Sequence, residues 1–134
     1  MRRLVVDAFA VLAWTNEEPG APFVDGILAD AESGQAWVAI CVINLGEVYY
    51  RLARRHGAPD ADDTLRDLLE LDWHVLPVSN ELVWAAARLK ARFRISYADA
   101  LALACAQEQE AELVTNDPEL CAAQHGVTIR WEPA

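Results

Sequence analysis

No Gly/Ser tract, proline-rich linker or internal repeat interrupts these 134 residues, so nothing marks a disordered segment or divides the chain. With 54% hydrophobic and 24% charged residues, the length predicts one globular domain spanning 1–134. Long apolar runs are missing too. Leu4-Val5-Val6 meets Asp7 at once, too short a stretch for a signal peptide or a membrane span, which predicts a soluble, cytoplasmic protein with no membrane partner. Cysteine is scarce. Cys41, Cys105 and Cys121 are odd in number and lack C-x-x-C spacing, and they read as small buried hydrophobes in a reducing compartment, with neither disulfide nor zinc.

Positive charge is also in short supply. A net charge of −10 argues against a broad basic face gripping nucleic acid. That objection weakens if carboxylates converge on divalent cations, which cancel their charge and then face phosphate themselves. The basic residues are clustered: Arg51, Arg54, Arg55 and His56 form one group, and Arg88, Lys90, Arg92 and Arg94 a second.

Several chemistries are excluded by missing motifs. No H-x-H or H-E-x-x-H spacing supplies a histidine metal site, and His56 and His125 each stand before a glycine that reads as a helix end. There is no G-x-S-x-G turn for a serine nucleophile, and no G-x-x-x-x-G-K-[ST] or G-x-G-x-x-G loop to cradle a nucleotide.

What is present is an alternation of short apolar runs and helical patterns. Strands are predicted at 4–6, 36–41, 73–78, 113–115 and 127–129. Helices are predicted from Ala8 to Trp14, about Phe23 to Ala31, Asn44 to His56, Asp60 to Leu71, Ser79 to about Arg92, Ser96 to Glu110, and Pro118 to Gln124. Five apolar strands separated by helices give an α/β domain with a parallel sheet covered on both faces. Ligands in such sheets bind beyond the carboxyl ends of the strands, at the switch in strand order.

Four acids occupy such positions. Asp7 follows the first strand, Asp117 follows the fourth, Glu47 falls on the first turn after the second strand, and Asp99 on the first turn of the Ser96 helix. All four are thereby predicted at helix N-termini, where a carboxylate is equally suited to capping backbone N–H groups. Ser96-Tyr97-Ala98-Asp99 fits a capping box, Asn44-Leu45-Gly46-Glu47 is close to one, and Asp117-Pro118 reads as an N-cap. Gathered among small and apolar neighbours, the same acids would repel one another unless a cation intervened. An oxygen-only donor set suits Mg²⁺ or Mn²⁺ better than zinc. On a helix, Arg51 and Arg54 fall within about 40° of Glu47 and Arg55 within about 80°, placing them either to meet phosphate or on a solvated basic face. The five tryptophans read as core or interface.

Four blocks carry a resemblance: Leu4-Val5-Val6-Asp7-Ala8-Phe9-Ala10-Val11-Leu12, Asn44-Leu45-Gly46-Glu47-Val48-Tyr49-Tyr50, Ser96-Tyr97-Ala98-Asp99-Ala100-Leu101-Ala102 and Leu113-Val114-Thr115-Asn116-Asp117. In order and over nearly the whole chain, they resemble the PIN-domain family, in particular VapC-type toxins of toxin–antitoxin pairs. The resemblance implies a three-layer α/β/α fold with a five-stranded parallel sheet of order 3-2-1-4-5. It implies Asp7, Glu47, Asp99 and Asp117 as a catalytic, metal-holding quartet, with Thr115 or Asn116 assisting and Glu119 a weaker addition. The implied activity is Mg²⁺- or Mn²⁺-dependent hydrolysis of RNA phosphodiester bonds. Arg51, Arg54 and Arg55 become candidate RNA contacts, and a VapB-like antitoxin and a homodimer the implied partners. Phe9 departs from the pattern, since many relatives carry a small polar residue there.

Other readings fit less well. A phosphatase of the haloacid-dehalogenase type needs Asp-x-Asp after its first strand, where Phe9 stands. A receiver-like signalling domain needs an acceptor Asp after the third strand and a later lysine, where this chain has Pro77-Val78-Ser79 and no lysine beyond Lys90. A PIN fold that binds a partner without cutting is the remaining alternative.

Overall fold

A parallel sheet runs through the middle of the molecule in the order β3-β2-β1-β4-β5. The computed structural model describes residues 1–132, so the last two residues of the expected 1–134 domain lie outside the described residues. The elements in order are β1 Arg2–Val6, α1 Ala8–Thr15, α2 Ala21–Glu32, β2 Ala36–Cys41, α3 Val42–His56, α4 Ala58–Leu69, β3 His74–Leu76, α5 Asn80–Arg92, α6 Tyr97–Glu108, β4 Glu112–Val114, α7 Pro118–Ala122 and β5 Ile129–Arg130. The expected strand order and three-layer arrangement are those observed.

The pleat sends alternate residues of each strand to opposite faces, and helices cover both. Leu4, Val6, Val38 and Ile40 pack with α1, α2, α3 and α4 through Val11, Val24, Ile27, Val48 and Leu68. On the other face Val5, Ala39, Cys41 and Leu113 pack with α5 and α6. Helix α6 is buried without a break from Ala100 to Ala106, which its run of small and apolar residues permits. Strand β1 is central: Val6 pairs with Ile40 on one side and with Val114 on the other. The strand order reverses there, so whatever follows β1 and β4 is brought together.

Some boundaries differ from expectation for identifiable reasons. Strand β1 begins at Arg2 because Arg2 and Arg3 pair with Ala36 and Trp37 although their side chains are exposed. Helix α4 starts at Ala58, directly after Gly57 with φ of +90°, and Pro59 occupies its first turn. Helix α7 stops at Ala122. His125 therefore sits in a loop rather than at a helix end, its Nε2 donating to the Leu120 carbonyl at 2.9 Å while Nδ1 accepts the Val127 N–H at 3.1 Å. Cys41 and Cys105 are buried as expected, whereas Cys121 is exposed on this short helix. Among the tryptophans, Trp84 is exposed on α5.

Trp131 closes the fold against α1 and α2. It meets Phe9 and Phe23 edge-on, each at 5.8 Å between centroids, and lies flush on Gly20. A Cβ on Gly20 would stand 2.2 Å from the Trp131 ring, although the Gly20 backbone itself (φ −79°) suits any residue. Gly20→Ala is accordingly expected to destabilise by about 1–3 kcal/mol through overpacking alone. An unchanged urea midpoint would contradict this packing.

Candidate functional site

Asp7, the residue after β1, continues the sheet by donating its N–H to the Val114 carbonyl at 3.3 Å. It is the N-cap of α1: Oδ1 accepts the Ala10 N–H at 2.9 Å. The residue is only 1% exposed, and its Oδ2 is buried with no hydrogen-bond partner among the described residues. Burial, above all, raises the Asp7 carboxyl from 3.8 to about 7; the neighbouring Thr115 hydroxyl and the Ala10 N–H oppose this, and the charges of Asp99 and Asp117 add to it.

Asp117 caps α7, Oδ1 accepting the Glu119 N–H at 2.9 Å, and its own N–H is donated to Thr115 Oγ1 at 3.0 Å. Thr115 is fully buried and Asn116 exposed, so of the two expected assisting residues Thr115 is the one set between Asp7 and Asp117. Asp99 lies in the first turn of α6, where Ser96 Oγ accepts its N–H at 3.1 Å. Its carboxyl is raised from 3.8 to about 6, first by burial and then by the adjacent charges of Asp117 and Glu47. Carboxylate oxygens of Asp99, Asp117 and Glu119 all lie within 4.8 Å of one another. The structure thus brings three of the four predicted acids to the switch point and adds the exposed Glu119 at the rim.

Glu47 is placed differently. Helix α3 begins at Val42 with Cys41 as its N-cap, so Glu47 stands beyond the first turn and caps nothing. The expectation that all four acids lie at helix N-termini fails here. The helix starts two residues before the predicted Asn44 because Leu45, Val48 and Leu52 set its buried face while Val42 and Ile43 remain exposed. Glu47 faces Asp99 closely enough to act on its proton, and Arg51 Nε holds Glu47 Oε2 at 3.0 Å.

Asn44, read as a cap from sequence, has another task. It is buried, and its Nδ2 donates 3.0 Å to the carbonyl of Ala98, tying α3 to α6 one residue before Asp99. An asparagine three residues ahead of an acid is visible in the sequence, but its partner lies 54 residues away. Asn44→Ala removes this tie between α3 and α6 and should cost about 0.5–1.5 kcal/mol, measured as a lower urea midpoint.

Between α1 and α3 lies a cleft of 520 Å³ whose wall carries Phe9, Leu12, Leu52, Arg51, Arg54 and Arg55 together with the acidic Glu18. None of the four acids lines this cleft, and Arg51 connects it to them through Glu47.

The donor set fits a hard dication: carboxylates alone, a buried Asp7 oxygen without a partner among the described residues, and two carboxyls, Asp7 and Asp99, raised above their ordinary range chiefly by burial.

Comparison with known proteins places these features in context. The PIN domain model matches residues 4–126. No curated protein sequence gives a match. Among solved structures, VapBC from Salmonella typhimurium bound to DNA superposes with a TM-score of 0.75 at 13% identity, over 97% of this chain and 98% of that one. VapBC2 from Rickettsia felis, bound to a DNA fragment from its promoter, gives 0.74 at 17% identity, over 97% and 99%. VapC20 from Mycobacterium tuberculosis, a Sarcin-Ricin loop cleaving toxin, gives 0.73 at 21% identity, over 90% and 95%. At these identities the likeness is one of fold.

Proposed function

Because the chain belongs to the PIN domain family, we propose that it acts as a single-domain, metal-dependent endoribonuclease and as the toxin of a type II toxin–antitoxin pair. The observation that carries this reading is the gathering of Asp99, Asp117 and Glu119 carboxylate oxygens within 4.8 Å, close to a buried Asp7 whose Oδ2 has no hydrogen-bond partner among the described residues. Asp7, Asp99 and Asp117 would hold Mg²⁺ or Mn²⁺, with Glu47 alongside; when bound, the ion would lower the pKa of a water and offset charge on the leaving oxygen. The chain's own residues do the positioning. Thr115 fixes the Asp117 backbone, Ser96 fixes that of Asp99, and the Ala10 N–H fixes Asp7. Arg51 orients Glu47, and with Arg54 and Arg55 offers positive charge where RNA phosphates would approach.

The VapBC folds among its neighbours support a VapB-like antitoxin as partner. Exposed apolar side chains at Val42, Ile43, Trp84 and Tyr97 support a homodimer, which sedimentation would test. No helix among the described residues is long and apolar enough to cross a membrane. The deciding experiment is cleavage mapping on total RNA, with and without Mg²⁺ or Mn²⁺, comparing the parent chain with Asp7→Asn. Indistinguishable RNA profiles in all samples would end the nuclease reading.

A further inference from the structure

Asn44 is an unexpected choice for a buried position on α3. It is 1% exposed, and although its Nδ2 donates to the Ala98 carbonyl at 3.0 Å, its Oδ1 is buried with no hydrogen-bond partner among the described residues. An orphan acceptor of this kind opposes folding, and an apolar side chain of similar shape would avoid that cost. The Ala98 carbonyl gains little from the bond, because it lies inside α6, whose own N–H ladder already serves it. What the bond supplies is a fixed distance between two helices.

Apolar packing does little to set that distance here. The large buried side chains of α3, Leu45, Val48 and Leu52, pack into the core on one face of the sheet, whereas the buried residues of α6 belong to the core on the other. Gly46 contributes no side chain, and a Cβ built on it would touch nothing. The strut also stands at the acids themselves. Glu47 follows Asn44 by three residues, which puts the two within about 60° of each other around α3, and Asp99 comes directly after Ala98. Arg51 holds Glu47 from its other side at 3.0 Å. Asn44 thus links the one acid of the quartet carried by α3 to the one carried by α6.

We propose that Asn44 is a positioning residue of the metal site, its amide setting the span between Glu47 and Asp99 through the Ala98 carbonyl. The inference rests on the metal-dependent reading above and adds to it a residue that touches neither ion nor substrate. A hard dication tolerates little error in where its oxygen ligands stand, so a strut of defined length has a use here that apolar packing would not supply. Groups that orient ligands without touching the metal commonly change its affinity by about 10–100-fold.

The test is metal binding in the absence of RNA. Free Mn²⁺ is followed by its electron paramagnetic resonance signal as the intact chain is titrated, and urea midpoints are measured alongside. Asn44→Ala should weaken Mn²⁺ binding roughly tenfold. Asn44→Leu, which matches the branched shape of the amide and removes the orphan acceptor, should hold a urea midpoint at least as high as that of Asn44→Ala and show the same loss of affinity. Gly20→Ala disturbs the fold at Trp131 instead, and should bind Mn²⁺ as the parent does wherever it is fully folded. Parent-like affinity in both Asn44 variants overturns the positioning role and leaves the nuclease reading intact. An equal loss in Gly20→Ala does the same, since affinity would then follow stability alone. Absence of Mn²⁺ binding by the parent chain overturns this inference together with the metal site on which it rests.

Discussion

Asp7→Asn is expected to lower metal-dependent RNA cleavage by at least about a thousandfold, equivalent to about 4 kcal/mol of transition-state stabilisation, while leaving the fold intact. The substitution is nearly isosteric, and the asparagine oxygen can still accept the Ala10 N–H that starts α1. What changes is the other oxygen. Asp7 Oδ2 is buried and unpartnered, and an amide there presents a donor where a cation requires an acceptor. Loss of a buried charge that nothing neutralises should also leave metal-free Asp7→Asn at least as heat-stable as the parent at pH 8, which circular dichroism can record. Asp99→Asn should cause a comparable loss, and the double variant little more, because ligands of one site act as a unit. Parent-like cleavage by a correctly folded Asp7→Asn would remove Asp7 from the mechanism.

The second large effect is on stability in the absence of metal. Both Asp7 and Asp99 have folded-state pKa values above the ordinary 3.8, at about 7 and about 6. Between roughly pH 4 and pH 7 the folded chain therefore holds protons that the unfolded chain has released, so this contribution to stability declines as pH rises and levels off above about 7. This is the reverse of a salt-bridged carboxylate. For the almost wholly buried Asp7 the effect is on the order of a few kcal/mol; Asp99 is partly open to solvent and adds less. Urea midpoints at pH 5 and pH 8 in EDTA should show the parent losing ground to Asp7→Asn at the higher pH. Millimolar Mn²⁺ should recover most of that loss for the parent and little for the variant, since binding to the folded state alone stabilises it. A difference between parent and variant that is the same at both pH values would refute the assignment of a buried, proton-holding Asp7.

The topology is largely legible in the sequence because each strand is apolar throughout and each connection carries a helix-length pattern, which together leave few alternatives to a parallel three-layer sheet. Ser79, Ser96 and Asp117 mark their helices correctly because capping is local, decided within a few residues. Asn44 misleads for the same reason: it has the chemistry of a cap, and only its distant bond to Ala98 shows otherwise. The acids can be nominated one by one, but the meeting of Asp7, Asp99 and Asp117 depends on β1 pairing with β4, and Glu119 gains weight only through their proximity. The cleft is the least visible feature. Phe9 looks like a departure from a pattern, and its bracing by Trp131 joins opposite ends of the chain.

The position of β1 also governs when the acids can be brought together during synthesis of the chain. Leu4 pairs with Glu112, and Asp7 is anchored on Val114, so a nascent chain that already contains Asp7, Glu47 and Asp99 still has no strand to set Asp7 against Asp117. Closing so long a loop is the slow, late step in parallel sheets. The meeting of Asp7 with Asp117 therefore has to wait for β4 and the turn after it to be made.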